Sequence, residues 1–199
     1  MKLNLPLYKA ELKDCSGITA VALVEYPAVE SDFLTFKKEE EQKQQSFSAD
    51  EEKHNIIGCV LRADFPIYRR SGDYEYYVVF QASTIEEMTK KMFMDASFAV
   101  NNTQHVADND VSDKLETLGY FIKNTGMGIA PVGFDNVEDG SLFGIYHVKD
   151  DNLWKEIKEG KLNGFSVECI MNYVEDFSTE DSEEREILNM IEKIKNKLK

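Results

Sequence analysis

The sequence predicts a mainly β domain with helices, an α+β fold in which six or seven strands form an antiparallel barrel or sandwich. Two observations support this class. Runs rich in β-branched and aromatic residues recur between turn residues, and only two stretches before residue 177 have helical spacing. The chain of 199 residues is long enough for one domain, which we place at residues 1–177.

The first half of the chain is predicted to contain mostly strands. Residues 17–27, GITAVALVEYP, are a β-branched run that ends at a proline. A short strand at 32–36 is followed by residues 37–53, whose charged and polar composition predicts a mobile surface loop. Strands at 56–63 and 74–81 come next, and the turn residues between them predict a hairpin.

The middle of the chain is predicted to contain a helix and two strands. Ser83 or Thr84 can cap a helix that ends near Asp95, because the apolar residues that follow have helical spacing. Strands are then predicted at 114–123 and 142–148, on either side of a glycine-rich stretch.

The chain is predicted to end with a short helix, a strand and a longer helix. Asp150 or Asp151 is expected to cap the helix in DNLWKEIKEG, which Gly160 ends. The last strand is predicted at 165–173. Residues 178–199 then place apolar side chains on one stripe, with acids first and lysines last, which is typical of an amphipathic helix outside the core.

Composition limits the classes of partner. A net charge of −14 would repel nucleic acids and anionic membranes, so we expect proteins as partners. No stretch approaches the ~20 apolar residues of a membrane span, so a cytoplasmic protein is expected. The three cysteines lack CxxC spacing and form no metal-binding pattern, and neither a cofactor nor a metal ion is expected.

Among the three histidines, His105 is the best candidate for chemistry. It lies in NNTQHVADND, amid small polar residues and carboxylates that can orient an imidazole as a general base requires. His54 lies in the charged loop and is expected to be solvated. His147 alternates along its strand with apolar residues, which favours a packed structural role.

Ser166 is the candidate nucleophile. It follows Asn163-Gly164-Phe165 at the start of a strand, where a tight turn can present a hydroxyl at the strand end. Glu168 lies two residues later, so strand alternation places it on the same face as Ser166.

Several motifs together resemble the phage prohead protease family, in particular its phage serine protease branch. They are TQH, LETLGYFIKN and GSLFGIYHVKDDNLWKEIKEGKLNGFSVE, in that order, with an opening VALVEYPAVESDFLTF. The resemblance covers most of the chain apart from the charged loop and the C-terminal helix. Such families are grouped with herpesvirus assemblins, which implies a β-barrel surrounded by short helices and a Ser/His pair that cleaves peptide bonds.

The resemblance assigns roles to individual residues. It implies that Ser166 is the nucleophile and His105 the general base. Phage relatives use a carboxylate as the third member, and Glu116 in LETLGYF is preferred here because its strand follows the His105 loop. Glu168 in FSVE is the runner-up, and Asp108 is a third candidate. No adjacent arginine pair occupies a position like the one that assemblins use for the oxyanion.

The function that follows is maturation of a viral prohead. A protease of this kind is expected to cleave scaffold and major capsid precursor proteins, and itself, inside the immature prohead in the host cytoplasm. Nucleic acid and membranes are not expected as partners, whereas the sequence is compatible with a homo-oligomer. The alternatives are a non-catalytic capsid or scaffold-associated binding module on the same barrel, and a different hydrolase that uses the same Ser/His pair.

Overall fold

The computed structural model describes residues 5–13, 17–27, 48–50 and 53–175. These residues form twelve β-strands and two α-helices, which confirms the mainly β, α+β class. The predicted six or seven antiparallel strands were too few, and two of the observed strand pairs are parallel. The strands make three four-stranded sheets, and the described residues close no barrel. The strand predicted at 32–36 and the helix predicted at 178–199 lie outside the described residues.

Strands dominate the described chain, and short connections join most of them. In chain order the elements are β1 Leu7–Glu11, β2 Gly17–Val24, β3 Ser48–Asp50, β4 Asn55–Leu61, β5 Ile67–Ser71, β6 Tyr74–Val79, α1 Ala82–Met94, β7 Asn101–Thr103, β8 Val106–Asp110, β9 Leu115–Ile122, β10 Leu142–Val148, α2 Asp151–Lys158, β11 Gly164–Ile170 and β12 Asn172–Glu175. The strand predicted at 142–148 has the observed bounds of β10.

The sheets bring together strands that are distant in sequence. The first sheet has the order β12-β1-β6-β5, the second β3-β4-β10-β9 and the third β11-β2-β7-β8. In the third sheet β2 is antiparallel to β11 and parallel to β7. A single residue, Met171, joins β11 to β12, so the chain passes directly from the third sheet to the first.

The core surrounds β2 and α1. Every residue of β2 except Thr19 is buried, as expected for a near-continuous apolar strand that is covered on both faces. Helix α1 packs beside β2 and buries Ile85, Met88 and Met92, the residues whose spacing predicted a helix. Full burial of each such side chain stabilises the fold by roughly 1.5–3 kcal/mol.

The predicted hairpin was wrong, and of the predicted loop at 37–53 the structure describes only residues 48–50 and 53. The segments predicted as a hairpin do not pair with each other: β4 pairs with β3 and β10, whereas β6 pairs with β5 and β1. Within the predicted loop at 37–53, Ser48–Asp50 forms β3 at the edge of the second sheet. Hydrogen bonding to the apolar strand β4 overrides the low strand propensity of these polar residues.

The two helices begin differently. At α2 the Asp150 side chain accepts a hydrogen bond from Leu153 N at 2.8 Å, which confirms that predicted cap. At α1 the residue before the first turn is Gln81, which makes no capping bond, and both predicted caps lie inside the helix. Within the described residues no helix has the length and apolar character that a membrane crossing requires.

Candidate active site

One face of the third sheet carries the predicted nucleophile beside a polar network. Ser166 on β11 pairs with Ala22 on β2, which pairs in turn with Asn102 on β7. Because paired residues project to the same face of a sheet, all three share one face, and Glu168 joins them two residues along β11. The alanine adds only a methyl group between the outer strands. Longer side chains from β11 and β7 therefore meet above β2.

The start of β11 is fixed by the turn that precedes it. Asn163 N donates to Val24 O at 2.8 Å, and its side-chain amide donates to Glu25 O at 3.2 Å. At Gly164 a Cβ atom would lie 2.4 Å from Pro27 Cγ, so only glycine allows this approach. These contacts dock the Asn-Gly turn on the end of β2 and set where Ser166 enters the sheet.

His105 lies in a two-residue turn between β7 and β8. Gln104 and His105 have φ values of 56° and 58°, the left-handed region that a type I′ hairpin requires. Asn-Gly is the usual choice there, and a left-handed conformation costs other residues roughly 1–2 kcal/mol each. Gln104 N donates to Leu23 O at 2.9 Å and ties the turn to β2. Strain of this kind in a well-anchored turn is typical of functional sites.

A hydrogen-bond network links the imidazole to a carboxylate. His105 Nδ1 lies 3.3 Å from Glu168 Oε1, and Asn102 Nδ2 donates to the same oxygen at 2.6 Å. With Nδ1 as the donor, Nε2 of a neutral imidazole is the acceptor. Glu168 thereby selects the tautomer that a general base needs.

Ser166 and His105 line one cleft of about 450 Å³, together with Glu168 and Cys169. The Ser166 side chain is 5% exposed, and none of the described residues hydrogen-bonds its hydroxyl. No hydrogen bond joins Ser166 to His105 in the described chain. Such bonds are often long without substrate and shorten when it binds.

Cys169 is the other nucleophilic side chain in this cleft. Burial raises the pKa of its thiol, and Arg69 opposes that shift only in part. The reactive thiolate is therefore disfavoured at neutral pH. The strand register also shifts between Glu168 and Cys169, where β2 contributes the extra residue Thr19, and irregularities of this kind commonly re-aim side chains beside sites. Ser166 is the better nucleophile on these grounds.

The structure does not bring Glu116 to the imidazole. Glu116 lies on β9 in the second sheet, where it pairs with His147 of β10 and is exposed. Asp108 lies on the exposed strand β8 and makes no described contact with His105. The expected contact between Glu116 and His105 is therefore wrong. Glu168 contacts the imidazole instead, because β11 and β7 lie on either side of β2 in the third sheet.

The other two histidines have structural surroundings. His147 Nδ1 lies 2.9 Å from Lys53 O and 3.1 Å from Asn55 Oδ1, in keeping with the packed role expected from its strand. His54 was expected to be solvated, but its ring stacks on Trp154 with centroids 4.6 Å apart. This contact could not be predicted from the sequence around His54, because the Trp154 ring belongs to α2, far along the chain.

Sequence reasoning missed five residues that line the cleft, two on β11 and three outside it. Arg69 of β5, Tyr173 of β12 and Tyr26 after β2 complete its walls. Arg69 belongs to β5, which was not predicted because its polar residues resemble loop sequence. Tyr173 was assigned to the end of the strand that contains Ser166. A signal was available for Arg69, because the sequence has only four arginines and each can be weighed as a cation in so acidic a chain.

In the described part of the chain no group of three or more His, Cys, Asp or Glu side chains is placed to hold a metal ion. Comparison of the chain with protein-family models, with curated proteins and with solved structures found no match in any of the three. The chemistry proposed for the chain is therefore inferred from the geometry of this cleft and from its side chains.

Proposed function

We propose that the chain is a serine endopeptidase with Ser166 as nucleophile, His105 as general base and Glu168 as the orienting carboxylate. One observation carries this proposal: His105 lies 3.3 Å from Glu168 on the cleft that Ser166 also lines. A nucleophile, a base and a group that orients the base are the three parts that covalent catalysis by serine needs.

The proposed reaction forms and hydrolyses an ester on Ser166. Ser166 Oγ attacks the peptide carbonyl carbon while His105 Nε2 takes the hydroxyl proton. The C–N bond then breaks, and the same proton passes from Nε2 to the leaving amine nitrogen. A water molecule attacks the ester carbonyl, gives a proton to Nε2 and releases the carboxyl product, and that proton returns to Oγ. No cofactor takes part.

Glu168 has two tasks in this scheme. Its carboxylate holds Nδ1–H, which keeps Nε2 free to accept the Ser166 proton, and its charge stabilises the imidazolium that forms during attack. Asn102 acts through Glu168, because its amide donates to Oε1 at 2.6 Å and fixes the carboxylate in place. Asn102 is therefore a positioning residue.

The biological role that fits this chemistry is maturation of a viral prohead, as the sequence resemblance implies. Scaffold and major capsid precursor proteins would be the substrates, inside the immature prohead in the host cytoplasm. An assemblin-like barrel is part of the same proposal. It is supported by the contact of β11 with β4 of the second sheet and by the direct passage from β11 to β12, which bring the three sheets together.

Co-expression tests this function. The full chain would be produced with the scaffold and capsid precursor proteins of the same virus, as wild type, as Ser166→Ala and as Ser97→Ala, a serine in the short 3-10 helix after α1 and outside the cleft. We expect mass spectrometry to find defined cleavage products with wild type and Ser97→Ala only. Intact partners that co-purify equally with all three proteins would instead identify a binding module.

A further inference from the structure

Arg69 differs from the two other arginines in the described chain. Arg62 is paired with the Glu138 carboxylate, and Arg70 Nη2 lies 3.6 Å from Asp73. The guanidinium of Arg69 makes one described hydrogen bond, from Nη1 to the backbone oxygen of Tyr68 at 3.3 Å, and has no carboxylate partner in the described residues. Its side chain lines the cleft that contains Ser166. A cation is thus presented to whatever enters this cleft.

The first sheet continues the wall of the cleft as a tyrosine face, which we define as Tyr8, Tyr74, Tyr76 and Tyr173. The Tyr76 ring lies 5.6 Å from those of Tyr8 and Tyr74 and 6.2 Å from that of Tyr173, centroid to centroid. The Tyr8 and Tyr74 hydroxyls are 2.7 Å apart. These contacts hold four large rings as one surface.

The tyrosine face and Arg69 form one continuous surface. Arg69 on β5 pairs with Tyr76 on β6, so both side chains lie on the same face of the first sheet. Tyr173 belongs to the tyrosine face and to the cleft. Tyr74 is 51% exposed and Tyr173 40%, which leaves ring surface open for contact. Tyrosine and arginine are the side chains that binding surfaces favour, because they offer rigid apolar area and directional donors.

We propose that this surface binds the polypeptide substrate as an extended segment, with Arg69 pairing with an Asp or Glu side chain of that segment. The inference rests on the proposed function and adds the substrate class: acidic segments with apolar side chains beside the carboxylate. The guanidinium supplies a bidentate, charge-assisted pair, and the tyrosine face supplies apolar contact for the neighbouring side chains.

A peptide is the expected ligand, because the tyrosine face continues into the cleft of the proposed nucleophile. It ends in the cleft that holds Ser166, His105 and Glu168, so a chain lying on the tyrosine face passes directly to the nucleophile. Glu168 of the third sheet and Arg69 of the first sheet both line the cleft and bring opposite charges to it. A peptide carboxylate is attracted to the Arg69 side and repelled from the Glu168 side, which sets the direction of the segment.

A binding experiment tests the carboxylate contact without requiring cleavage. The full chain, as Ser166→Ala, would be immobilised and incubated with a random library of twelve-residue peptides, and retained peptides would be sequenced by mass spectrometry. The same measurement would be made with Arg69→Gln and, as a matched control, Arg70→Gln added. Arg70 is the adjacent residue, carries the same charge and does not line the cleft.

We expect Asp- and Glu-containing peptides to be enriched about tenfold to a hundredfold, and the enrichment to be lost with Arg69→Gln but kept with Arg70→Gln. Changing Glu to Gln in one retained peptide should weaken its binding by the same factor, in a protein whose Arg69 is untouched. Equal enrichment with both arginine variants, or no preference for acidic peptides, would overturn the inference.

Two further readouts separate this inference from the proposed protease activity. If retained acidic peptides bind through Arg69 but wild type never cleaves them, the result supports the peptide-binding surface and contradicts the protease function. If wild type cleaves peptides with the same preference as Arg69→Gln, the protease stands and this inference fails. With photo-reactive benzoylphenylalanine in place of Tyr74, the side chain should cross-link to the retained peptide. A cross-link to the chain itself or to a second copy would overturn the inference that this surface binds the substrate.

Discussion

The imidazole Nδ1 of His105 lies 3.3 Å from Oε1 of Glu168, although Glu168 belongs to β11 and His105 to the turn after β7, two strands that do not pair in the sheet. The intervening strand β2 has alanines at both relevant positions, Ala20 and Ala22, which face Glu168 and Ser166. Small side chains in the middle strand thus let a base from a turn reach a carboxylate two strands away.

Replacing Glu168 should slow catalysis strongly. Glu168→Gln removes the charge that selects the His105 tautomer and stabilises the imidazolium, so kcat should fall by about a hundredfold or more with little change in KM. Glu116→Gln is the matched control, since Glu116 is exposed on β9, away from the cleft. Steady-state kinetics on a cleaved peptide checks both variants. A larger loss with Glu116→Gln would reverse the assignment.

The preference for Glu116 shows where sequence reasoning ended. Alternation along one strand correctly placed Glu168 on the face of Ser166, because that rule is local. The choice between the two carboxylates depended on which strands lie side by side, and pairing between distant segments cannot be read from a single sequence. Chain order favoured Glu116, whereas the third sheet pairs β2 with β7 and β11 and leaves β9 in the second sheet.

Other elements were predictable for physical reasons. Strands β2 and β10 and helix α2 have strong apolar patterns, and the Asp150 cap has its own local signal, so their positions were confirmed. Strands β5, β7 and β8 were missed because their polar residues resemble loop sequence, and their pairing partners supply most of their stability. The strained turn that contains His105 was also not predicted.

The turn between β7 and β8 should become more stable when a glycine relieves its strain. Gln104 has a φ of 56°, so Gln104→Gly should raise the free energy of unfolding by about 0.5–1 kcal/mol, after allowance for the greater entropy of the unfolded glycine. Urea denaturation measures the change. A loss of stability would mean that the Gln104 side-chain amide, 3.4 Å from Glu25 N, contributes more than the strain costs.

The close approach at Gly164 should make it intolerant of any side chain. Gly164→Ala places a Cβ atom 2.4 Å from Pro27 Cγ, and relief of that clash should cost about 1–3 kcal/mol and shift Ser166, lowering kcat as well. Gly119→Ala is the control, because a Cβ there meets no described atom within 4 Å. Thermal unfolding and kinetics should separate the two variants. Equal stability would show that the Asn-Gly turn adapts freely.

Cys169 should react slowly with alkylating reagents at neutral pH. Burial raises the pKa of its thiol, so at a given pH less thiolate is present than in an unperturbed cysteine, and alkylation should speed up only as the pH becomes alkaline. Iodoacetamide labelling followed by mass spectrometry across pH measures this. Cys169→Ala should retain protease activity, and its loss would make the thiol the nucleophile in place of Ser166.

Catalysis should weaken as the solution becomes acidic. A protonated imidazole cannot accept a proton from a serine hydroxyl, so a histidine base predicts that kcat/KM rises from acid to neutral pH. A rate that stays constant from acid to alkaline pH would exclude a histidine base.

A fluorophosphonate probe tests whether His105 activates Ser166, and this experiment requires no known substrate. Ser166 Oγ should displace fluoride from the probe and become phosphonylated, and peptide mapping should find the label on Ser166 in wild type. The labelling rate should fall by about a hundredfold or more in His105→Ala. Labelling of Ser166 at equal rates in wild type and His105→Ala, or no labelling of Ser166 at all, would contradict the account.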